Sequence, residues 1–102
     1  MSGQPVEFHP EALAEAEAAL AWYQERSLQA AGLFASELDK AIEAISDAPH
    51  RWPIFDQGSR RSLLRRFPYF IVCREKAGSI QVLAVAHGRR RPGYWRHRVP
   101  EG

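Results

Sequence analysis

The chain has one cysteine, Cys73, in 102 residues. No intramolecular disulfide framework is available to it, and no multi-cysteine metal site. Lysine is nearly as scarce: of fourteen cations, twelve are arginine, and only Lys40 and Lys76 are lysine. No apolar run approaches the roughly 20 residues that span a bilayer. The opening Met1-Ser2-Gly3-Gln4-Pro5 has neither the basic nor the apolar region of a signal peptide, so a cytoplasmic protein that does not meet the membrane is expected. Internal repeats and low-complexity tracts are absent. What remains is ordinary for a soluble fold, 45% hydrophobic and 25% charged. The length suits one domain over 1–102, with a core of about 6–95 and a basic tail at 96–102.

The charge is segregated along the chain. Residues 1–50 carry two cations and nine acids, whereas 51–102 carry twelve cations and three acids. Arginine presents a planar, permanently charged fork that grips carboxylate or phosphate at two points. In the second half these forks alternate with Trp52, Phe55, Phe67, Tyr69, Phe70, Tyr94 and Trp95. That mixture suits a polyanion or an acidic protein partner. The plainer reading, that the acidic half neutralises the basic half within one fold, stands beside it.

Val6-Glu7-Phe8 alternates as a short strand does. Pro10, with Glu11, Glu15 and Glu17 behind it, opens a helix predicted over 10–26. Its apolar stripe is Leu13, Ala16, Leu20 and Tyr23, and its acids read as a solvated face. Ser27 is the expected N-cap of a second helix. That helix carries Ala31, Phe34, Leu38, Ala41, Ile42 and Ile45 and ends at Asp47-Ala48-Pro49. So short a connection implies an antiparallel pair. Ile54-Phe55 lies between loop-like stretches, and Ser62–Phe67, Tyr69–Lys76 and Ile80–His87 read as three strands. In the last of these, Ile80, Val82, Ala84 and Ala86 fall on one face and Leu83 and Val85 on the other. The order β-α-α-β-β-β predicts a two-layer α+β fold, with a helical hairpin on one face of a mainly antiparallel sheet. The opposite face is expected to be open and basic, and the tail to be loose or a short helix.

One segment runs Arg65-Arg66-Phe67-Pro68-Tyr69-Phe70-Ile71-Val72-Cys73-Arg74. A second runs Ile80-Gln81-Val82-Leu83-Ala84-Val85-Ala86-His87-Gly88-Arg89-Arg90-Arg91-Pro92-Gly93-Tyr94-Trp95. Together with Val6-Glu7-Phe8-His9-Pro10 they resemble the RelE/ParE toxin superfamily of type II toxin–antitoxin systems over roughly residues 6–95. The resemblance implies a bacterial growth inhibitor, of the kind that stabilises plasmids, held silent by a cognate antitoxin. It also implies one of two targets. RelE-like members cut messenger RNA in the ribosome, whereas ParE-like members poison DNA gyrase and are not nucleases.

RNA cleavage needs a base at the ribose 2′-hydroxyl, a cation at the phosphorane and a donor for the leaving oxygen. His87, Arg65, Arg66 (with Arg89) and Tyr94 are the candidates, each with a plainer structural role open to it. His87 can cap its strand, Arg65 and Arg66 point to opposite faces of a regular strand, and Tyr94 can pack under the sheet. RelE-like nucleases commonly carry arginine after the tyrosine of the central strand, where this chain has Phe70. The expectation is therefore a ParE-like gyrase inhibitor without catalytic residues. The alternatives are a ribosome-dependent mRNA nuclease and a non-toxic binding module of the same fold. Contact with target or antitoxin is expected from Arg65, Arg66, Arg74, Arg89, Arg90, Arg91, Tyr94 and Trp95. No metal or cofactor is expected, since His9, His50 and His97 share no ligand spacing and Cys73 reads as a small buried hydrophobe.

Overall fold

The computed structural model describes residues 3–56 and 58–100; Gln57, in the predicted loop, and 101–102, in the predicted tail, lie outside the described residues. Strand β1 is Val6–Phe8 and helix α1 is Pro10–Arg26. The ring of His9 caps α1 by accepting from the Glu11 amide at 3.1 Å. The buried face of α1 is Ala12, Ala16 and Ala19, while Leu13 of the predicted stripe is 47% exposed. Alanines three and four apart let the helix backbone approach the sheet closely, which turns the larger Leu13 outward.

Ser27 closes one helix and opens the next. Its amide donates to the Tyr23 carbonyl at 2.7 Å, and its hydroxyl accepts from the Ala30 amide at 3.1 Å. Helix α2 then runs Leu28–Asp47 and stops at Ala48, before Pro49, as expected. A 3₁₀ turn at Pro49–Arg51 leads into the sheet.

Four strands follow, not three: β2 Ile54–Asp56, β3 Ser59–Leu63, β4 Tyr69–Lys76 and β5 Ser79–His87. The sheet order is β1-β5-β4-β3-β2, with β1 parallel to β5 and the other pairs antiparallel. The expected order is corrected by β2, a three-residue edge strand paired with β3 through Ile54 and Arg60. The strand predicted at Ser62–Phe67 is also displaced, ending at Leu63. Pro68 has no amide to donate, and the amides of Arg65 and Arg66 go to the Glu37 carboxylate of α2 instead of a strand.

The β4–β5 hairpin turns through Gly78, at φ 77°. Val72 pairs with Ala84 and Cys73 with Val82, so Leu83 is an unmatched bulge residue. One extra residue reverses the alternation beyond it. Ile80, Val82 and Val85 therefore meet the helices, together with Phe34, Ile45, Ile71 and Cys73. Leu83, Ala84 and Ala86 turn away with Val72, which corrects the predicted single face of Ile80, Val82, Ala84 and Ala86. The Cys73 thiol lies within the helix-side core, where burial pushes its pKa up to about 11.

Over β4 and β5 the outer face is not left open. Trp95, 1% exposed, covers Val72, Leu83, Ala84 and Ala86, with Tyr94 and Val99 beside it. The described part of the tail, including a 3₁₀ turn at Arg96–Arg98, is thus packed onto the sheet. An indole has more apolar area to bury than a loose tail would allow.

Candidate interaction surface

The site begins where β1 runs out. β1 covers β5 only from Ile80 to Val82, and the chain then turns into α1, with the His9 amide donating to the Val82 carbonyl at 2.9 Å. Beyond that point the flank of β5 has no neighbouring strand among the described residues, and buried backbone groups there need other partners. Glu15 of α1 supplies one, since its Oε1 accepts from the Val85 amide at 3.0 Å. Arg98 of the tail supplies the other, donating from Nη1 to the Leu83 carbonyl at 2.9 Å.

These two side chains also meet each other. Arg98 Nη1 reaches Glu15 Oε1 at 3.0 Å and Nη2 reaches Oε2 at 2.9 Å, a two-point grip. The Tyr94 hydroxyl donates to Glu15 Oε2 at 2.7 Å. Burial raises the Glu15 pKa, but the hydrogen bonds from Arg98, Tyr94 and the Val85 amide outweigh it and hold the carboxyl below its ordinary range. Tyr94 is pushed the other way, by burial first and then by donating to Glu15. The tail is clamped to α1 through an acid that the sequence pattern assigns to a solvated face.

The clamp holds the preceding loop, Arg89–Arg91, at one end of the sheet. The Gly88 amide donates to the Pro68 carbonyl at 2.7 Å, which ties that loop to the Arg65–Pro68 loop. Arg65, Arg66, Arg89, Arg90 and Arg91 therefore gather at the β4-start, β5-end edge of the molecule. Arg74 is not with them; it lies toward the other end of β4 and donates to the Gln81 side chain at 2.9 Å. Trp95 is buried and offers its ring to the sheet.

The second-half cations divide into two sets. Arg60 pairs with Glu75, Lys76 with Glu7, Arg96 with Asp56 and Arg98 with Glu15 and Glu11. Among the described residues, no carboxylate lies within 4.0 Å of Arg51, Arg61, Arg65, Arg66, Arg74, Arg89, Arg90 or Arg91. All six arginines expected as contact residues fall in the unpaired set. The sequence pattern does not mark Arg61: Phe55 and Phe70 show as aromatics, but only the pairing of β2 with β3 brings Phe55 to it.

Three of the four nuclease candidates line two different clefts, and the hydroxyl of the fourth has a partner within the fold. His87 accepts from the Arg89 amide at 3.0 Å, packs edge-on to Tyr69 and lines a cleft between α1 and β5 with Trp22 and Arg90. Arg65 and Arg66 line a different cleft, with Glu37 and Lys40 of α2. The Tyr94 hydroxyl is spent on Glu15. Among the described residues no three His, Cys, Asp or Glu side chains group as metal ligands, and no helix is long and apolar enough to cross a membrane.

The family model for the ParE toxin of the type II toxin–antitoxin system, parDE, matches residues 6–92. Among solved structures, a chain of the chromosomal ParDE TA system from P. aeruginosa superposes with a TM-score of 0.71. It is 18% identical, over 82% of this chain and 95% of that one, a likeness of fold. No curated protein matches the sequence.

Proposed function

Because the chain belongs to the ParE toxin family of type II toxin–antitoxin systems, we propose that it arrests growth by inhibiting DNA gyrase. A cognate antitoxin silences it by covering the cationic end of the sheet. The observation that carries this reading is the dispersal of the nuclease candidates. His87 and the Arg65–Arg66 pair line separate clefts, and Tyr94, its proton held by burial and by Glu15, is a poor acid. Cleavage calls for a base, a cation and a donor at one phosphodiester, and this division of the candidates does not favour it. Phe70, in the position where nucleases of the superfamily commonly carry arginine, supports the same conclusion.

A non-nucleolytic inhibitor works by occupying a surface. Arginine and aromatic side chains are the types that most often dominate such interfaces. Here Arg65, Arg66, Arg89, Arg90 and Arg91 make the contact, with Tyr94 and Trp95 fixing the loop that carries three of them. The test is a supercoiling assay with purified gyrase, run beside a check of message integrity in induced cells. The expected result is lost supercoiling, accumulated cleaved DNA and intact messages. Supercoiling unaffected at stoichiometric excess overturns the reading. New 5′ ends on translated messages would turn it to the nuclease, and harmless expression to a binding module.

A further inference from the structure

One more unpaired cation, Arg61, lies on the outer face of the sheet, in a cleft that Arg90 of the loop described above also lines. Arg61 of β3 stands over two phenyl rings, 5.0 Å from the centroid of Phe55 and 5.4 Å from that of Phe70. The three side chains line a cleft of about 520 Å³, with Arg90, Arg96 and Asp56 at its rim. Asp56 is held by Arg96 at 2.7 Å, so it neutralises one guanidinium and leaves two. Phe55 is 43% exposed, an unusual share for a phenyl ring. Phe55 packs one edge on Trp95, at 5.8 Å between centroids, and still leaves much of its ring to solvent. The clamp uses Glu15, Tyr94 and Arg98, and the core beneath the cleft is filled by Trp95.

We propose that this cleft binds single-stranded DNA, taking an unstacked base against the Phe55–Arg61–Phe70 layer and its phosphates on Arg61 and Arg90. Rings and guanidinium planes accept the face of any base, and arginine forks suit phosphate oxygens. Stacking needs a free base face, which an intact duplex does not offer, and this selects for a strand whose bases are unpaired. A polyglutamate-like segment, with no ring or apolar side chain, would leave the exposed phenyl face unused. The choice of DNA over RNA rests on the gyrase reading above, because that enzyme acts on DNA; rings and guanidinium planes take either.

The probe is a fluorescein-labelled oligothymidylate of about ten nucleotides, within the span such grooves cover, titrated by fluorescence anisotropy. The full chain should bind it, with affinity falling as salt rises. Arg61→Glu should cut affinity at least about tenfold, since it reverses a phosphate contact. Phe55→Leu leaves every charge in place and should still cost at least about fivefold, the loss of one stacked base. Arg26→Glu changes net charge as much as Arg61→Glu but lies at the end of α1, and should cost less than about twofold. Circular dichroism confirms that each variant is folded. Equal losses for Arg26→Glu and Arg61→Glu would mean a general charge effect and overturn the proposal. So would tighter binding of the same-length RNA, or of a polyglutamate peptide. A protein that blocks supercoiling yet ignores the oligonucleotide also overturns it and leaves the gyrase reading intact. A protein that binds the oligonucleotide but spares gyrase supports the cleft and removes that reading.

Discussion

Glu15 is an acid on a helix face otherwise given to alanine. Ala12 and Ala19, three before it and four after, are buried against the sheet, and its own side chain is 16% exposed. A carboxylate in that position is costly unless a cation meets it, and Arg98, with a side chain only 5% exposed, does so. Removing one partner leaves the other buried and uncompensated. Glu15→Ala should therefore lower unfolding free energy by about 3–5 kcal/mol in urea titrations. The double variant Glu15→Leu with Arg98→Met should recover most of it. The pH dependence has a definite sign. The folded pKa of Glu15 is depressed below its reference of 4.5, so its contribution is fully present above that pH and is lost as pH falls through the lower folded value. Glu15→Gln should flatten that acid limb of the stability curve, and an unchanged limb would assign it to other groups. Glu15 was legible only as an acid of a solvated face, because the predicted stripe of Leu13, Ala16, Leu20 and Tyr23 leaves it out and only the buried alanine face of α1 brings it to the sheet. The identity of the partner was not legible either, because Arg98 lies 83 residues away in a basic run that looks solvated.

At the scale of elements, punctuation was readable and alternation was not. Pro10, Ser27 and Pro49 act through local chemistry, and both helices begin and end where those residues require. β5 has apolar residues on both faces, so nothing in its pattern marks Leu83 as the bulge; only pairing with β4 does. β2 is three residues long, below the length at which a period of two is detectable. The helical hairpin also makes a prediction. Gly32 lies inside α2, and a methyl group added there meets nothing within 4 Å. Gly32→Ala should raise stability by up to about 1 kcal/mol. Ser27→Ala removes the hydroxyl that accepts from Ala30 and should lower it by about 1 kcal/mol. Thermal melts should move in opposite directions, by roughly 4–8 °C each for a domain near this size. A rise with both would show that the inter-helix turn tolerates other caps.

Across the whole molecule, the two halves of opposite charge neutralise each other only in part. The contacts of Arg60, Lys76, Arg96 and Arg98 account for the acids nearest the sheet; among the described residues, the acids farther along α1 and α2 pair with no other second-half guanidinium, Glu25 pairing with Arg26 and Glu37 taking backbone amides. The unpaired cations concentrate where the Arg65–Pro68 and Arg89–Arg91 loops are tied together through Gly88 and Pro68. Crowded like charges repel, and a partner rich in carboxylates relieves that repulsion as it binds. Glu37 anchors the first loop through backbone amides, so side-chain changes at Arg65 and Arg66 leave the anchor itself in place. A triple variant, Arg65→Glu, Arg66→Glu and Arg89→Glu, should therefore fold while weakening the complex with the antitoxin at least about tenfold, from three exposed pairs at ~0.2–1 kcal/mol each with repulsion added. Most of the loss should appear in the association rate, because long-range attraction acts before contact. Raising salt should slow association of the wild type far more than of the variant, since exposed charges are screened beyond roughly 8 Å at physiological ionic strength. Surface plasmon resonance at two ionic strengths separates these effects. An association rate that ignores both the substitutions and the salt would move the antitoxin to the helical hairpin, where Leu13 and Trp22 stand exposed.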